Sequence, residues 1–305
     1  MSGCIHDHSG YALERWGEGD QLGAGNLLTA ERRLAAMQAV RSGELIDLGH
    51  VIENGAPRMP PNQTPFVMTL SIRGDNTVRR RRKMGATNDA GTSLERIEMT
   101  THVGTHVDAL GHVTIGDELY GGRHVDDELD DLGLASIGVE HVPPMITRGR
   151  LLDVSALDGA TTLEAGRVVS ADDLARAEEA DGVEVAEGDV VCIHTGWGQW
   201  YMRDNDRYAA GEPGIDEPAA RWLTERGVVA IASDNMAVEV IPNPRHPAAI
   251  LPVHQHTLAE AGVYLIENLK TDELAAAGHR AFCFMLLATK FKGATGCPVR
   301  PVAVV

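Results

Sequence analysis

The sequence predicts an α/β fold in which helices cover a mixed or partly parallel sheet. Strand-like and helix-like segments alternate through the middle of the chain, a pattern that is typical of such folds. The 305 residues are 43% hydrophobic, which is enough for a sizeable core. No repeat, low-complexity tract or long linker divides the chain. We therefore expect one domain over residues 29–305, preceded by a polar, glycine-rich N-terminal arm over residues 1–28.

The N-terminal third of the chain predicts one helix and three strands. Thr29 suits the N-cap position of an amphipathic helix over residues 30–41. Alternating or β-branched segments predict strands over residues 44–51, 66–72 and 94–103. The run from Arg79 to Lys83 carries five consecutive cations. Such a run favours a solvated loop or a contact with an acidic neighbouring subunit.

The rest of the chain predicts the alternation that defines the fold class. Short apolar runs predict strands over residues 151–154, 189–194, 228–232, 263–266 and 281–288. Helical patterns occupy residues 171–180, 217–226 and 272–277. Ser170 and Asp216 precede the first two of these helices, and both residue types are favoured at N-caps. Helices between strands are expected to pack on the faces of the sheet.

The chain is strongly acidic, with a formal net charge of −17. This charge disfavours binding to nucleic-acid phosphates and to anionic membranes, so neither is an expected partner. The four cysteines form no C-x-x-C pair, which argues against a disulfide framework or a cysteine-rich zinc site. The N-terminus has no signal-like apolar segment, and no apolar run reaches transmembrane length. The expected location is therefore the cytoplasm.

The stretch from His102 to His112 (HVGTHVDALGH) indicates a metal-binding site. It places three imidazoles and the carboxylate of Asp108 within eleven residues, and such groups are ligands of Zn2+ and Mn2+. A straight strand would separate His102 from His106 by about 13 Å, which is too far for ligands of one ion. We therefore expect the strand to break or bulge at Gly104, because glycine permits unusual dihedral angles.

Further ligands are expected from distant segments, because compact sites are closed by more than one stretch of chain. His254 and His256 are alternate residues, so one of them can be purely structural. Glu267 ends an apolar run, where a buried acid needs a partner or a metal. Asp234 and Glu239 follow a strand, and strand ends are where α/β sheets bind ligands. Turn and surface roles are the alternative for these two acids.

Other kinds of site find little support in the sequence. There is no G-x-S-x-G elbow, no cysteine in a catalytic context and no nucleotide-binding glycine motif. A structural metal site is the non-enzymatic alternative, although the absence of cysteine and the flexible glycines favour an open, catalytic one. The remaining histidines with no expected role are His6, His8, His50, His124, His141, His246 and His279.

The motif H-x-G-T-H-x-D-x-x-x-H resembles the signature of the cyclase-like metal-dependent hydrolases. This is the family of bacterial kynurenine formamidase and isatin hydrolase. Other segments resemble its longer-chain branch: RWGEGDQLGAGNLLT at 15–29, HTGW at 194–197, ASDNMAVEVIP at 232–242, the segment 254–267 and the closing GATGCPVRPVAV. The resemblance covers nearly the whole chain.

The resemblance implies roles for the residues of the motif. His102, His106 and Asp108 match the family's ligands of the catalytic metal. His112 matches the residue that helps to bind a second metal or acts as acid and base. We therefore expect Asp108 and His112 to be the catalytic residues of the motif.

The resemblance also implies distal ligands and a fold. The pair that completes a binuclear site in the formamidases falls on His254 and Glu267. His254 is preferred to His256 because its spacing to Glu267 is similar to that of the longer branch. Family members have a swivelling β/β/α arrangement and are usually homodimers or homotetramers. Leu110 stands where formamidases usually have proline, which weakens the transfer of kynurenine as substrate.

The predicted function is hydrolysis of a small amide, either a formamide or a cyclic amide or imide, by metal-activated water. One or two Zn2+ or Mn2+ ions are expected, and the substrate is a small carbonyl compound. A lactone hydrolase that uses the same site is the alternative. Candidates for the substrate pocket are Trp197, Asp234 and His256, together with Trp200 and Phe66.

Overall fold

A computed structural model of the chain describes residues 11–305. The strands of this part are short, and most have two to six residues. In chain order they are β1 (Leu45–Asp47), β2 (Val67–Ile72), β3 (Leu94–Glu98), β4 (His106–Asp108), β5 (Glu118–Leu119), β6 (Arg123–His124), β7 (Leu129–Asp130), β8 (Gly133–Leu134), β9 (Met145–Asp153), β10 (Val168–Val169), β11 (Val190–His194), β12 (Gly214–Ile215), β13 (Ala230–Ser233), β14 (Tyr264–Glu267), β15 (Ala281–Leu286), β16 (Gly296–Pro298) and β17 (Val302–Val304).

The α-helices are α1 (Tyr11–Trp16), α2 (Ala30–Gln38), α3 (Gly74–Lys83), α4 (Val125–Glu128), α5 (Val154–Leu157), α6 (Ala171–Asp181), α7 (Asn205–Ala209), α8 (Glu217–Glu225), α9 (Pro252–His254) and α10 (Asp272–Ala276). A π-helix (Gln255–Ala261) continues α9. The predicted caps Thr29, Ser170 and Asp216 each accept a backbone N–H at the start of α2, α6 and α8, as N-caps do. None of the helices in residues 11–305 has the length and hydropathy needed to cross a membrane.

Nine strands form one mixed sheet in the order β1-β17-β15-β9-β11-β13-β14-β4-β16. The central strands β9, β11, β13 and β14 are parallel neighbours. The strands on either side of this centre are antiparallel to their neighbours. This mixed sheet with covering helices confirms the predicted α/β class.

The centre of the sheet lies in the core. Every residue of β11 (VVCIH) and β13 (AIAS) is buried, which is the pattern of parallel strands that are covered on both faces. Helix α2 packs against β9 and β15, and α6 packs against β9. The four predicted strands at 189–194, 228–232, 263–266 and 281–288 correspond to β11, β13, β14 and β15, with ends shifted by up to two residues.

Strand β4 carries the motif and lies between β14 and β16, antiparallel to both. The register places Glu267 of β14 directly opposite His106, and Gly296 of β16 directly opposite Asp108. Residues that are far apart in the sequence therefore meet at β4. This short strand is the element that positions the site.

The segment before the motif differs from expectation. The strand predicted over residues 94–103 ends at Glu98, and within residues 11–305 it pairs only with β2, in a separate two-stranded ribbon. The cationic run predicted as a loop is the end of helix α3. Arginine and lysine are good helix formers. Asp75 in the first turn of α3 and the cations in its last turn complement the dipole of this helix.

The N-terminal arm is not confirmed as a free segment. Within its described part, residues 11–28, there are α1 and a 3-10 helix (Gly23–Leu27) that docks on the domain. Ala24 donates its N–H to the carbonyl of Gly262, and Tyr264 donates its hydroxyl to the carbonyl of Leu22. His6 and His8 lie outside the described residues.

Candidate metal centre

A turn at Gly104 folds the motif back on itself. Gly104 has a φ of +74°, a conformation that glycine adopts without steric cost. The turn brings the rings of His102 and His106 to a centroid separation of 5.0 Å. The carbonyl of Gly104 lies 2.8 Å from Nδ1 of His106, which leaves Nε2 of that ring to face the site. The break that the spacing required therefore occurs at Gly104.

The first group of donor atoms comes from the motif alone. Nδ1 of His102 lies 2.8 Å from Oδ1 of Asp108, and Nε2 of His106 lies 3.5 Å from the same oxygen. One donor atom from each of the three side chains lies within 4.8 Å of the others. This separation is suited to three ligands of one cation.

A second group adds a distant histidine and shares the carboxylate of Asp108. It consists of Asp108, His112 and His254, whose donor atoms also lie within 4.8 Å of one another. Nε2 of His254 lies 3.7 Å from Oδ2 of Asp108 and 3.0 Å from Oε1 of Glu267. The other oxygen of Glu267 lies 3.1 Å from Nε2 of His106. All six predicted ligands are thus in one cluster.

The buried polar atoms of this cluster fit a cation. Both carboxylate oxygens of Asp108 and Nε2 of His106 are buried and make no hydrogen bond within residues 11–305. Ring nitrogens of His102 and His254 lie 2.8 and 3.7 Å from the oxygens of Asp108, but these contacts do not have the geometry of hydrogen bonds. A buried polar atom without a hydrogen bond is costly, and an unpaired buried charge more so. A divalent ion among these atoms would satisfy them all.

The charges of the cluster are strongly coupled. Burial alone would lower the pKa of His106, but Glu267 and Asp108 raise it to about 9. Burial opposes ionisation of Asp108, but the imidazoles of His112 and His102 hold its pKa well below its usual range. Burial lowers the pKa of His112 to about 4. A cation that binds here must therefore displace the proton of His106.

Residues outside the cluster orient its ligands. Oε1 of Glu239 lies 2.6 Å from Nδ1 of His254 and accepts the backbone N–H of the same residue at 3.2 Å. Thr295 Oγ1 lies 3.0 Å from Nε2 of His102. Such contacts fix the tautomer and ring orientation of metal-binding histidines. The sequence left Glu239 undecided and gave no signal for Thr295.

His256 faces away from the cluster. Its Nδ1 lies 2.8 Å from Oε2 of Glu260, and its Nε2 lies 2.9 Å from Oγ1 of Thr224 on α8. Both ring nitrogens are thus engaged between the π-helix and α8. Of the two alternate histidines, the geometry brings only His254 to Asp108 and Glu267.

Asp234 is fully buried at the end of β13. Its oxygens accept the N–H groups of Thr195 and Gly196 at 3.0 and 2.8 Å. Oδ2 also lies 3.3 Å from Nδ1 of His194. These bonds tie the ends of β11 and β13 together, so both oxygens of Asp234 already have protein partners.

Trp197 belongs to a second, smaller core beside the motif. We call this core the aromatic cluster, and its buried members are Ala56, Phe66, Val103, Trp197, Tyr201, Tyr208 and Met236. Val103 lies between two residues of the metal motif in sequence. The indole N–H of Trp197 points to the carbonyl of Tyr208 at 3.3 Å. Trp200, which is partly buried, packs on the same cluster.

His50 and Tyr201 form a stacked pair at the border between the aromatic cluster and the motif. Their ring centroids are 4.0 Å apart. Nε2 of His50 and the hydroxyl of Tyr201 are buried without a hydrogen-bond partner in the described part of the chain. A Cβ on Gly104 would lie 3.5 Å from that hydroxyl. The sequence suggested no role for this pair, because only the fold brings the two residues together.

The fold and the cluster define an α/β protein with a group of histidines and carboxylates that could hold a metal ion. The chain belongs to the cyclase family, because the family model described as "Putative cyclase" matches residues 46–240, well over half of the chain. The resemblance seen in the motif is thereby confirmed. No match is found among curated proteins.

Solved structures share the fold. A novel cyclase has a TM-score of 0.87 and 28% identity, covering 99% of this chain and 100% of its own. Isatin hydrolase A from Labrenzia aggregata has a TM-score of 0.63 and 21% identity, covering 91% of this chain and 99% of its own. A potential metal-dependent hydrolase with cyclase activity has a TM-score of 0.54 and 19% identity, covering 85% and 98%.

Gly296 tests how tightly the site is built. A Cβ at this position would lie 2.5 Å from Cε1 of His102, so Gly296→Ala should displace that ring. We expect metal affinity to fall by about 10-fold or more, as for other disturbed ligand orientations, with the fold retained. Competition with a chelating dye measures the affinity.

The matched control is Gly74→Ala, whose Cβ would meet nothing closer than Ser93 Oγ at 3.4 Å. It should bind metal like the unsubstituted protein. Unchanged affinity in Gly296→Ala would show that the ring of His102 does not take part in metal binding.

Proposed function

We propose that this protein is a metal-dependent hydrolase that cleaves a small amide, either a formamide or a cyclic amide or imide. The observation that carries the proposal is the buried carboxylate of Asp108, which has no hydrogen bond to any residue in 11–305 and is surrounded by imidazoles. Membership of the cyclase family supports it. So do the fold relatives, which include isatin hydrolase and a potential metal-dependent hydrolase with cyclase activity.

In this proposal His102, His106 and Asp108 hold the cation, and His254 and Glu267 hold a second cation or steady the first. Imidazole and carboxylate donors suit both Zn2+ and Mn2+. When bound, the cation supplies Lewis acidity, which polarises a carbonyl and lowers the pKa of water to about 7. Cysteine-free, glycine-flanked donors favour an open, catalytic site over a closed, structural one.

The protein's own side chains handle the protons. His112 is half-buried, and it is neutral at pH 7 because its pKa is lowered to about 4. Its ring stacks on His102 at 4.0 Å, which holds it beside Asp108. In the proposal His112 takes a proton from the attacking water and passes it to the leaving nitrogen, the usual work of a histidine acid–base. Glu239 keeps His254 in its orientation.

In the proposal the aromatic cluster lines one side of the substrate pocket. The chain has only 4% aromatic residues, yet Phe66, Trp197 and Tyr201 are gathered beside the metal motif. Burial raises the pKa of Tyr201 to about 12 and lowers that of His50 to about 4. The hydroxyl is therefore a donor and the imidazole is neutral at pH 7, so both can bond a polar group of the substrate. The polar atoms of Asp234 and His256 already have protein partners, and the proposal gives those residues no contact with substrate.

Asp108→Ala should abolish both metal binding and turnover, because it removes the carboxylate that the two donor groups share. Metal analysis and assays on formamides, cyclic imides and lactones, each with and without chelator, measure the two effects. If the protein hydrolyses lactones but none of the amides, the lactone-hydrolase alternative replaces the proposed amide hydrolysis.

Asp131→Ala is the matched control, since Asp131 is exposed on a turn, and it should keep full metal content and activity. An Asp108→Ala protein that retains metal and turnover would contradict the proposed site. If the unsubstituted protein has full metal content but hydrolyses none of the substrates, a structural role for the metal is favoured.

Tyr201→Phe removes only the hydroxyl, which has no hydrogen-bond partner among the described residues. Loss of one hydrogen bond to substrate should lower kcat/KM by about 10-fold, a cost of roughly 1.4 kcal/mol, while metal content stays the same. Steady-state kinetics measure this. Tyr120→Phe serves as control, because the Tyr120 hydroxyl donates to Asp20 instead. If the two variants behave alike, Tyr201 has no part in binding the substrate.

A further inference from the structure

Glu212 is a buried acid without a basic partner. It is 1% exposed, and within residues 11–305 no lysine, arginine or histidine forms an ion pair with it. Burial raises the pKa of Glu212 well above its usual range, and the charges of Glu267 and Glu239 raise it further. A buried acid is costly unless its oxygens are hydrogen-bonded. The hydrogen bonds of Glu212 are therefore the contacts that keep it in the core.

Both oxygens of the Glu212 carboxylate accept backbone N–H groups from one turn. The backbone nitrogen of Met236 lies 2.7 Å from Oε2, and that of Ala237 lies 2.8 Å from Oε1. The backbone of Glu212 also pairs with that of Ile241 beyond the turn. Glu212 therefore contacts the chain both at the start of this turn and after its end. We call residues 236–239 the strained turn, for the reason that follows.

The centre of the strained turn has a rare backbone conformation. Val238 has a φ of +60°, and a β-branched residue with a positive φ is a genuine outlier. The N–H of Glu239 donates to the carbonyl of Ala237, so Val238 is the central residue of a γ-turn of the rare, strained kind. Val238 is also fully buried. Such a conformation persists only where the surrounding contacts hold it.

The strained turn brings Glu239 to a residue of the candidate metal centre. Oε1 of Glu239 lies 2.6 Å from Nδ1 of His254, and it accepts the backbone N–H of the same residue at 3.2 Å. The opposite ring nitrogen, Nε2, faces Asp108 and Glu267. The direction in which the ring of His254 points therefore depends on where the strained turn places Glu239.

We propose that Glu212 is a positioning residue for the metal centre. Its carboxylate holds the strained turn, and the strained turn holds Glu239 against His254. Met236, the first residue of the turn, is also a buried member of the aromatic cluster, so the same carboxylate positions one side of the substrate pocket. This proposal rests on the proposed function, because it gives Glu212 an effect on a metal ligand of that site.

The hydrogen bond between His254 and Glu239 provides a readout that needs no metal. In the metal-free protein the Nδ1 proton of His254 should give a downfield NMR resonance, because it lies in a short, buried hydrogen bond to a carboxylate. Glu239→Ala identifies this resonance by removing it. Glu212→Gln keeps the size of the side chain but turns an NH2 group towards a backbone N–H. The strained turn should then move, and the resonance should shift upfield or disappear.

The affinity for Zn2+, measured by competition with a chelating dye, tests whether Glu212 acts through Glu239. Glu212→Gln should lower the affinity by about 10-fold, as when the partner of a metal ligand is disturbed. Glu239→Ala should lower it at least as much. In the Glu239→Ala background, Glu212→Gln should change the affinity by less than about 2-fold, because substitutions within one network are not additive.

The matched control is Glu178→Gln. Oε1 of Glu178 accepts the N–H of Val185 at 2.6 Å, in the loop between α6 and β11, so this acid also holds a loop through a backbone N–H. The control should leave both the resonance and the Zn2+ affinity unchanged. If circular dichroism shows that Glu212→Gln does not fold, Glu212→Asp replaces it. That variant keeps both oxygens on a shorter side chain, and the same results are expected.

Two results would overturn the proposal. One is a folded Glu212 variant whose downfield resonance is the same as in the unsubstituted protein. The other is an additive effect of the Glu212 and Glu239 substitutions on Zn2+ affinity. An unsubstituted protein that binds no Zn2+ would contradict the proposed function instead, and the resonance of the metal-free protein would still decide the role of Glu212.

Discussion

The buried carboxylate of Asp108 is the constraint on which the rest of the structure depends. An unpaired charge in a protein interior costs several kcal/mol, yet Asp108 is fully buried and has no hydrogen bond within residues 11–305. Three imidazoles approach its oxygens, from His102, His106 and His254. The fold tolerates this charge only with positive charge beside it, as protonated imidazoles or as a bound cation.

The sheet is arranged to build that environment. Strand β4 is only three residues long, and it lies antiparallel between β14 and β16. Strand β14 brings Glu267 to His106. Strand β16 brings Gly296 to a position where any side chain would clash with the ring of His102. Strand β13 is buried along its whole length, and its parallel pairing with β14 holds β14 in place. The rigid core thus fixes the positions of side chains at its edge.

Much of this was predictable from the sequence, because local signals carried it. Ligand-type residues at the spacing of the motif, together with Gly104, predicted a bent strand, and the caps Ser170 and Asp216 marked helix starts. What the sequence could not predict depends on tertiary contacts. The contact between Glu239 and His254 and the stacking of His50 on Tyr201 arise only from the tertiary fold. The strand expected at 94–103 was wrong beyond Glu98, because β3 pairs with β2 and not with the main sheet.

An anomalous-difference map from crystals grown with Mn2+ or Zn2+ tests the central claim most directly. The account predicts a peak bonded to His102, His106 and Asp108, with zinc–nitrogen distances of about 2.0–2.1 Å. A second peak beside His112 and His254 would mean two ions. Crystals soaked with either metal that show no peak at Asp108, with its oxygens bonded only to protein or water, would contradict the account.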